Sequence, residues 1–326
     1  MTEWMKTLPD RPRLTPAVAD TRRHVRTVFE NLCINGTAVL VGFSGGADSL
    51  ALLSAVAFEA KRYSTKTIAV IIDHGLQNDS AQVALNAKQT AESLGVEAEV
   101  KTVQVGTEGG LENAARDARY EALNQAMEEF NAEYLLLGHN LNDQAESVLL
   151  GLMRGSGPRS IAGMREVTGS TLRPLLSMTR DELRQACQDQ GLEFWDDPHN
   201  DDPKFSRVQI RQILSKLEQS GSQGVIQALA RTADQMYETE EIIGPLIEAE
   251  IQQINNSKEV DVEFLQSLTT AVRRRVIHKL GHLNATELSR FHVLEVEKLV
   301  TNWHGQKPLN LPGITVSRVG NHLHFD

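Results

Sequence analysis

The sequence is poor in cysteine, has no apolar run of bilayer length, and carries no excess of positive charge. Two cysteines in 326 residues, Cys33 and Cys187, stand far apart and form no CxxC pair. That spacing offers neither a disulfide framework nor a zinc or iron-sulfur site, so a cytoplasmic setting without zinc or cluster is expected. The absence of a long apolar run predicts no membrane partner, and the N-terminal stretch lacks the apolar core of a secretion signal. A net charge of −10 argues against a surface that is basic throughout. No internal repeat or low-complexity tract is present.

Charge is nevertheless unevenly placed. Residues 76 to 150 hold 13 Asp or Glu against 4 Lys or Arg, whereas residues 151 to 216 hold 9 against 10. The middle of the chain is therefore balanced and rich in arginine. A second cationic cluster, Arg273 to Arg275 with Lys279, reads either as a solvated helix face or as a local anion surface.

The length exceeds what one hydrophobic core usually organises, which predicts two domains. Thr15 as cap, Pro16 in the first turn and apolar residues at helical spacing predict an opening helix that Gly36 ends. After it, "TAVLVGF", "KTIAVIID", "VEAEVKTVQV" and "AEYLLLGH" read as buried strands. Helices follow them from near Ser49, Asp79, Leu111 and Asn142. This alternation predicts an α/β fold, a doubly wound parallel sheet covered on both faces, with ligands beyond the carboxyl ends of its strands. Past "SGSQG" the pattern becomes long amphipathic helices, with a kink expected at Pro245, and ends in a hairpin around Gly320-Asn321. The predicted division is 1–216 for the α/β domain and 217–326 for a smaller, mainly helical domain.

Several stretches carry chemistry. In "FSGGADS", Ser44 to Ser49, paired glycines between a strand and a helix let backbone N–H groups converge on an anion. It is not a Walker loop, because Asp48-Ser49 stands where lysine and a hydroxyl residue would be, and it is not GxGxxG. An aspartate in a phosphate-binding turn needs a cation between itself and the ligand, which makes Asp48 a candidate Mg²⁺ contact. The competing reading is a tight turn in which Asp48 and Ser49 only cap the helix. "IIDHGL" ends a strand at the same sheet edge, and Asp73 there is either functional or the cap of the next turn.

"LENAARDARYEAL" places Arg116 and Arg119 three apart on a helix. "LLLGHNLNDQAESVLL" places His139, Asp143 and Glu146 four and three apart, so that all three are expected on one face of a helix start. Two other readings compete for that trio: carboxylates complementing the helix dipole, or a metal site. "RGSG" follows, with Arg154 and a helix stop at Gly155. Arg207 and Arg211 share a helix face and are candidates for phosphate contact.

"FSGGADS" resembles the PP-loop of the ATP pyrophosphatase superfamily, which cleaves ATP between the α and β phosphates. Together with "VDHGL"-like "IIDHGL", "AARDARY", GH-x-x-x-DQAE, "RGSG" and "RPLL", it resembles the tRNA(Ile)-lysidine synthetases from residue 38 to about 216. The resemblance implies a carbon-nitrogen ligase that adenylates the C2 oxygen of the wobble cytidine in the CAU anticodon of tRNA(Ile). The side-chain amine of free L-lysine then displaces AMP, and codon recognition moves from AUG to AUA. It implies ATP contacts at Ser44, Gly45, Gly46, Ala47, Asp48, Ser49, Asp73 and His74, and a charge-neutralising role for Arg116. Lysine would be held by His139, Asp143 and Glu146, and tRNA by Arg154, Arg207, Arg211 and the C-terminal domain. A homodimer is compatible with it. Asn142, Ser147, Gln77 and Val208 stand where the family commonly has aspartate, threonine, arginine and asparagine. The rival readings are a tRNA 2-thiocytidine-type thiolase, whose cysteine pairs are missing here, and an ATP-binding protein without turnover.

Overall fold

The computed structural model describes residues 14–75, 79–106, 111–155, 157–196, 206–221 and 224–326. Gln77, Ser156 and the middle of "SGSQG" lie outside these residues. Among the described residues, no helix is long and apolar enough to cross a membrane. The chain divides into two compact units, Met1–Met236 and Tyr237–Asp326.

The first unit opens with α1 (Pro16–Asn31), which buries Val18, Val25, Val28 and Phe29. Then strand and helix alternate: β1 (Ala38–Gly42), α2 (Ala47–Ala60), β2 (Lys66–Asp73), α3 (Ser80–Ser93), β3 (Glu97–Thr102), α4 (Leu111–Glu129), β4 (Tyr134–Leu137) and α5 (Leu141–Met153). The short helix α6 (Pro158–Ile161) and the two-residue strands β5 (Val167–Thr168) and β6 (Thr171–Leu172) follow. Helices α7 (Arg180–Asp189), α8 (Ser206–Gln219) and α9 (Val225–Gln252) come next. The boundary between the units falls inside α9, which continues through Pro245.

The sheet runs β3-β2-β1-β4-β6-β5. All neighbours are parallel except β5 and β6, which pair antiparallel. Both faces are covered, and alternation along each strand divides its side chains between two cores. Val39 and Val41 join the cluster that includes Phe29, Leu53 and Leu183, while Leu40 joins Leu123 and Ala126 of α4. Because β2 lies on one side of β1 and β4 on the other, the chain switches direction at β1. The crevice beyond the carboxyl ends of β1 and β4 is where such sheets bind ligands.

The second unit holds β7 (Glu259–Asp261), α10 (Val262–Ser267), α11 (Thr270–Leu283), α12 (Arg290–Thr301), β8 (Leu309–Leu311), β9 (Ile314–Val319) and β10 (His322–Phe325). Its antiparallel sheet runs β7-β10-β9-β8, with the expected hairpin turning at Gly320 (φ 61°). Its own core includes Val262, Ile277, Leu280, Val296 and Phe325. The cationic run on α11 is committed to ion pairs. Arg273 and Arg274 donate to Glu297, Arg275 to Glu240, and Lys279 to Glu248.

Candidate active site at the carboxyl ends of β1 and β4

The turn after β1 is bound from within. The Ser44 N–H donates to Ser49 Oγ (3.2 Å), and that hydroxyl donates to the Gly46 carbonyl (3.0 Å). Gly45 takes φ 82°, a conformation that L side chains rarely adopt. Gly46 is the N-cap of α2 and has no side chain to occupy the first amides of the helix. Those amides and the positive end of the helix dipole are therefore available to an anion. From the far side, the Trp195 N–H donates to the Gly45 carbonyl (3.0 Å). Buried Cys187 donates its thiol to the Ala47 carbonyl (3.4 Å), and burial pushes that thiol up to about 12.

The glycine of "GH" has a steric reason. A Cβ on Gly138 would lie 2.9 Å from Ser49 Cα and 3.0 Å from the Asp48 carbonyl carbon, so only glycine lets β4 end against the start of α2. This approach brings the second signature beside the first. Asn140 caps α5 in a reciprocal capping box: its side chain accepts from the Asp143 N–H, and Asp143 Oδ2 accepts from the Asn140 N–H, both at 3.0 Å.

One guanidinium joins the carboxylates of the two signatures. Arg180 lies 2.9 Å from Asp143 Oδ1, 3.4 Å from Glu146 Oε1 and 3.6 Å from Asp48 Oδ2. Glu146 Oε1 also accepts from Arg211 Nε at 3.0 Å. Burial works against the charge on Arg180, but Asp143, Glu146 and Asp48 outweigh it and hold its pKa above the ordinary value. Burial also pushes the Asp48 carboxyl up to about 6, against the attraction of Arg180 and with the repulsion of Asp143. Two buried carboxylate oxygens in this cluster have no hydrogen-bond partner, Asp48 Oδ1 and Glu146 Oε2. Buried acceptors without partners are costly, and a cation or a donor at either oxygen would relieve that cost.

His139 stands elsewhere. It precedes the cap of α5, so Asp143 and Glu146 share a helical face but His139 does not. Burial brings its pKa down to about 3, helped by Arg119, Arg173, Arg116 and Arg207. Its Nδ1 has no partner, and the same holds for Nδ1 of His74. Arg119 is lowered by burial, opposed by Tyr120 and reinforced by Arg116 and Arg207. Arg180 is thus surrounded by carboxylates, whereas the charges acting on His139 are arginines.

The remaining sequence-predicted residues fall as follows. Asp73 ends β2 and accepts from the Gly75 N–H (2.9 Å), the turn-capping geometry. Arg116 is exposed with its guanidinium over Tyr120, 5.0 Å from the ring centre. Arg154 is the exposed C-cap of α5, and Gly155 takes the left-handed conformation (φ 64°). Of the departing residues, Asn142 Oδ1 accepts from the Arg180 N–H, Ser147 Oγ donates to the Asp143 carbonyl, and Val208 is buried.

Residues 18–218 match the PP-loop domain and residues 261–324 match the TilS substrate binding domain. The chain is 46% identical over 298 residues to the tRNA(Ile)-lysidine synthase of Leifsonia xyli subsp. xyli, covering 89% of this chain and 90% of that protein. The chain belongs to the tRNA(Ile)-lysidine synthase family. Another relative, the tRNA(Ile)-lysidine synthase of Thermobifida fusca, is 40% identical over 304 residues, 91% of this chain and 94% of its own. A solved U34-tRNA thiolase from Methanococcus maripaludis, with a 4Fe-4S cluster, superposes with a TM-score of 0.58 at 21% identity, over 68% of this chain and 80% of that one. That likeness is one of fold. Within the lysidine synthase family, PP-loop members use ATP, and the open amides of α2 suit its phosphates.

Arg180 was not among the residues the sequence pointed to. It lies in "SMTRDEL", where Thr179 and Glu182 form a capping box that accounts for every local feature. No spacing rule marks an arginine whose partners are 34 and 37 residues upstream.

Proposed function

We propose that this chain is a tRNA(Ile)-lysidine synthase working in two steps within this crevice. In the first, the C2 oxygen of the wobble cytidine attacks the α phosphate of ATP, an O–P bond forms and pyrophosphate leaves. In the second, the ε-amine of free lysine attacks C2, the C–O bond breaks, AMP departs, and the amine surrenders a proton. Activation is needed because a ring carbonyl oxygen is a poor leaving group and an AMP oxygen a good one. A base in a single-stranded anticodon loop can leave its stack at low cost.

On this reading, Ser44 to Ser49 cradle the phosphates, with Asp73 and His74 at the border of the nucleotide. Asp48, whose buried Oδ1 lacks a partner and whose carboxyl burial pushes up to about 6, suits a cation. Mg²⁺ bound there would neutralise phosphate charge and supply electrophilic assistance at phosphorus. Asp143 and Glu146 hold the cationic end of lysine, and His139 serves as a neutral hydrogen-bonding group, since a histidine lowered to about 3 stays in the uncharged form, with one ring N–H, at neutral pH. Arg116, Arg154 and Arg207 supply positive charge for tRNA or nucleotide phosphate, and the second unit adds further tRNA surface. Arg211 serves the acidic pocket through Glu146. The reaction belongs in the cytoplasm, where lysine, ATP and tRNA coexist.

One observation carries this reading: Asp48 and Glu146, both in contact with Arg180, each keep a buried oxygen without a partner. It provides separate receptors for a metal-bound phosphate and for an amine. The test is incorporation of radiolabelled lysine, with ATP and Mg²⁺, into a tRNA(Ile) transcript bearing CAU, beside a tRNA(Met) transcript with the same anticodon. Label confined to the isoleucine transcript is expected. AMP release without label in either transcript would contradict lysine as the nucleophile.

A further inference from the structure

Arg180 occupies a position that neither half of the reaction explains. It is the first residue of α7, where a backbone N–H lies outside the helical ladder. That N–H is donated to Asn142 Oδ1 at 3.0 Å, which fastens the start of α7 to the first turn of α5. The side chain then spans Asp48, Asp143 and Glu146. Arg211 pairs with Glu146 Oε1, the oxygen that Arg180 also approaches, and Glu146 Oε2 stays buried without a partner. An ammonium ion can pair with that oxygen while Arg180 keeps its contacts. If Arg180 withdrew to make room for lysine, Asp143 Oδ1 would lose its charged partner.

We propose that Arg180 is a positioning residue for lysine transfer: it remains in place when lysine binds, aligns Asp143 and Glu146 so that Glu146 Oε2 meets the amine, and ties that pocket to Asp48. Asn142 is its anchor. An aspartate at 142 would offer the same acceptor oxygen, so the departure at this position preserves the contact. The inference rests on the reading of the site as a lysine-transfer pocket.

The experiment compares wild type, Arg180→Ala, Arg180→Lys and Asn142→Ala in three readouts: KM and kcat for lysine, tRNA-dependent ATP–pyrophosphate exchange, and Tm. Loss of charge-assisted bonds to the two pocket carboxylates predicts that Arg180→Ala raises the lysine KM about tenfold or more. Exchange should fall roughly threefold or less, because the Asp48 contact is the longest of the three. Arg180→Lys, a point charge that cannot span three carboxylates, should recover only part of the loss. Asn142→Ala keeps the guanidinium but frees its base, and should raise the lysine KM with little change in kcat. An unchanged or lower lysine KM in Arg180→Ala would overturn the proposal, the lower value marking Arg180 as a placeholder that lysine displaces. Equal losses in exchange and in lysine use would overturn it too. Should Arg180→Ala fail to fold, the same criteria apply to Arg180→Lys and Asn142→Ala. Wild type that releases pyrophosphate with tRNA but never uses lysine would instead overturn the underlying reading, and this inference with it.

Discussion

His139 shows how one residue can be visible in a sequence while its state is not. The GH-x-x-x-DQAE stretch points to it, but its proton affinity depends on burial and on arginines from α4, α8 and the β6–α7 connection. Its pKa falls from 6.5 to about 3 in the folded protein. Between those values the unfolded chain binds the proton and the folded one does not, so stability rises with pH across that window. His139 therefore contributes acid lability that sets in as pH drops below about 6.5, and none above it. A His139→Asn variant should lose less Tm than wild type between pH 7 and pH 5, a difference of up to roughly one proton in the linkage slope. Parallel Tm curves for the two proteins would show that His139 titrates normally in the fold. Asp48, Asp143 and Glu146 were legible because each lies in a local signature. Arg180 was not, because its significance arises only when α2, α5 and α7 meet.

Among the elements, the strands and helix starts of the first unit were legible because apolar runs alternate with glycine, aspartate and asparagine punctuation. The expected starts near Ser49, Asp79, Leu111 and Asn142 correspond to helices beginning at Ala47, Ser80, Leu111 and Leu141. The β5–β6 hairpin was not legible: its strands have two residues each, and Val167 and Thr168 are both exposed, so no periodicity forms. In the second unit, the α11 arginines read equally as a binding surface or as a solvated face. The structure gives them a third role, as a clamp between α11 and its neighbours. Glu297 of α12, 7% exposed, accepts from both Arg273 and Arg274. A Glu297→Ala substitution strips the buried Arg273 of its counter-ion, a class of change that costs about 3–5 kcal/mol. Denaturant unfolding should show the Tyr237–Asp326 unit melting early while the ATP-binding unit keeps its transition. A midpoint unchanged from wild type would mean that the Leu268 carbonyl and Thr270 hydroxyl suffice for Arg273.

At the scale of the whole molecule, the chain combines an ATP-using PP-loop unit with a unit matching a substrate-binding domain, and its net charge is acidic. Acidity and a tRNA substrate are compatible because charge is partitioned. Asp48, Asp143 and Glu146 hold Arg180, and Arg119, Arg173, Arg116 and Arg207 act on His139. On the proposed reading, Asp48 serves adenylation and Glu146 serves the amine. The decisive measurement is rapid-quench analysis of Asp48→Ala and Glu146→Gln with tRNA(Ile) and ATP, following pyrophosphate release without lysine and AMP release after lysine is added. Asp48→Ala should abolish the first signal. Glu146→Gln should preserve the first and stall the second. If Glu146→Gln blocked pyrophosphate release as fully as Asp48→Ala, the separate roles of Asp48 and Glu146 would be wrong.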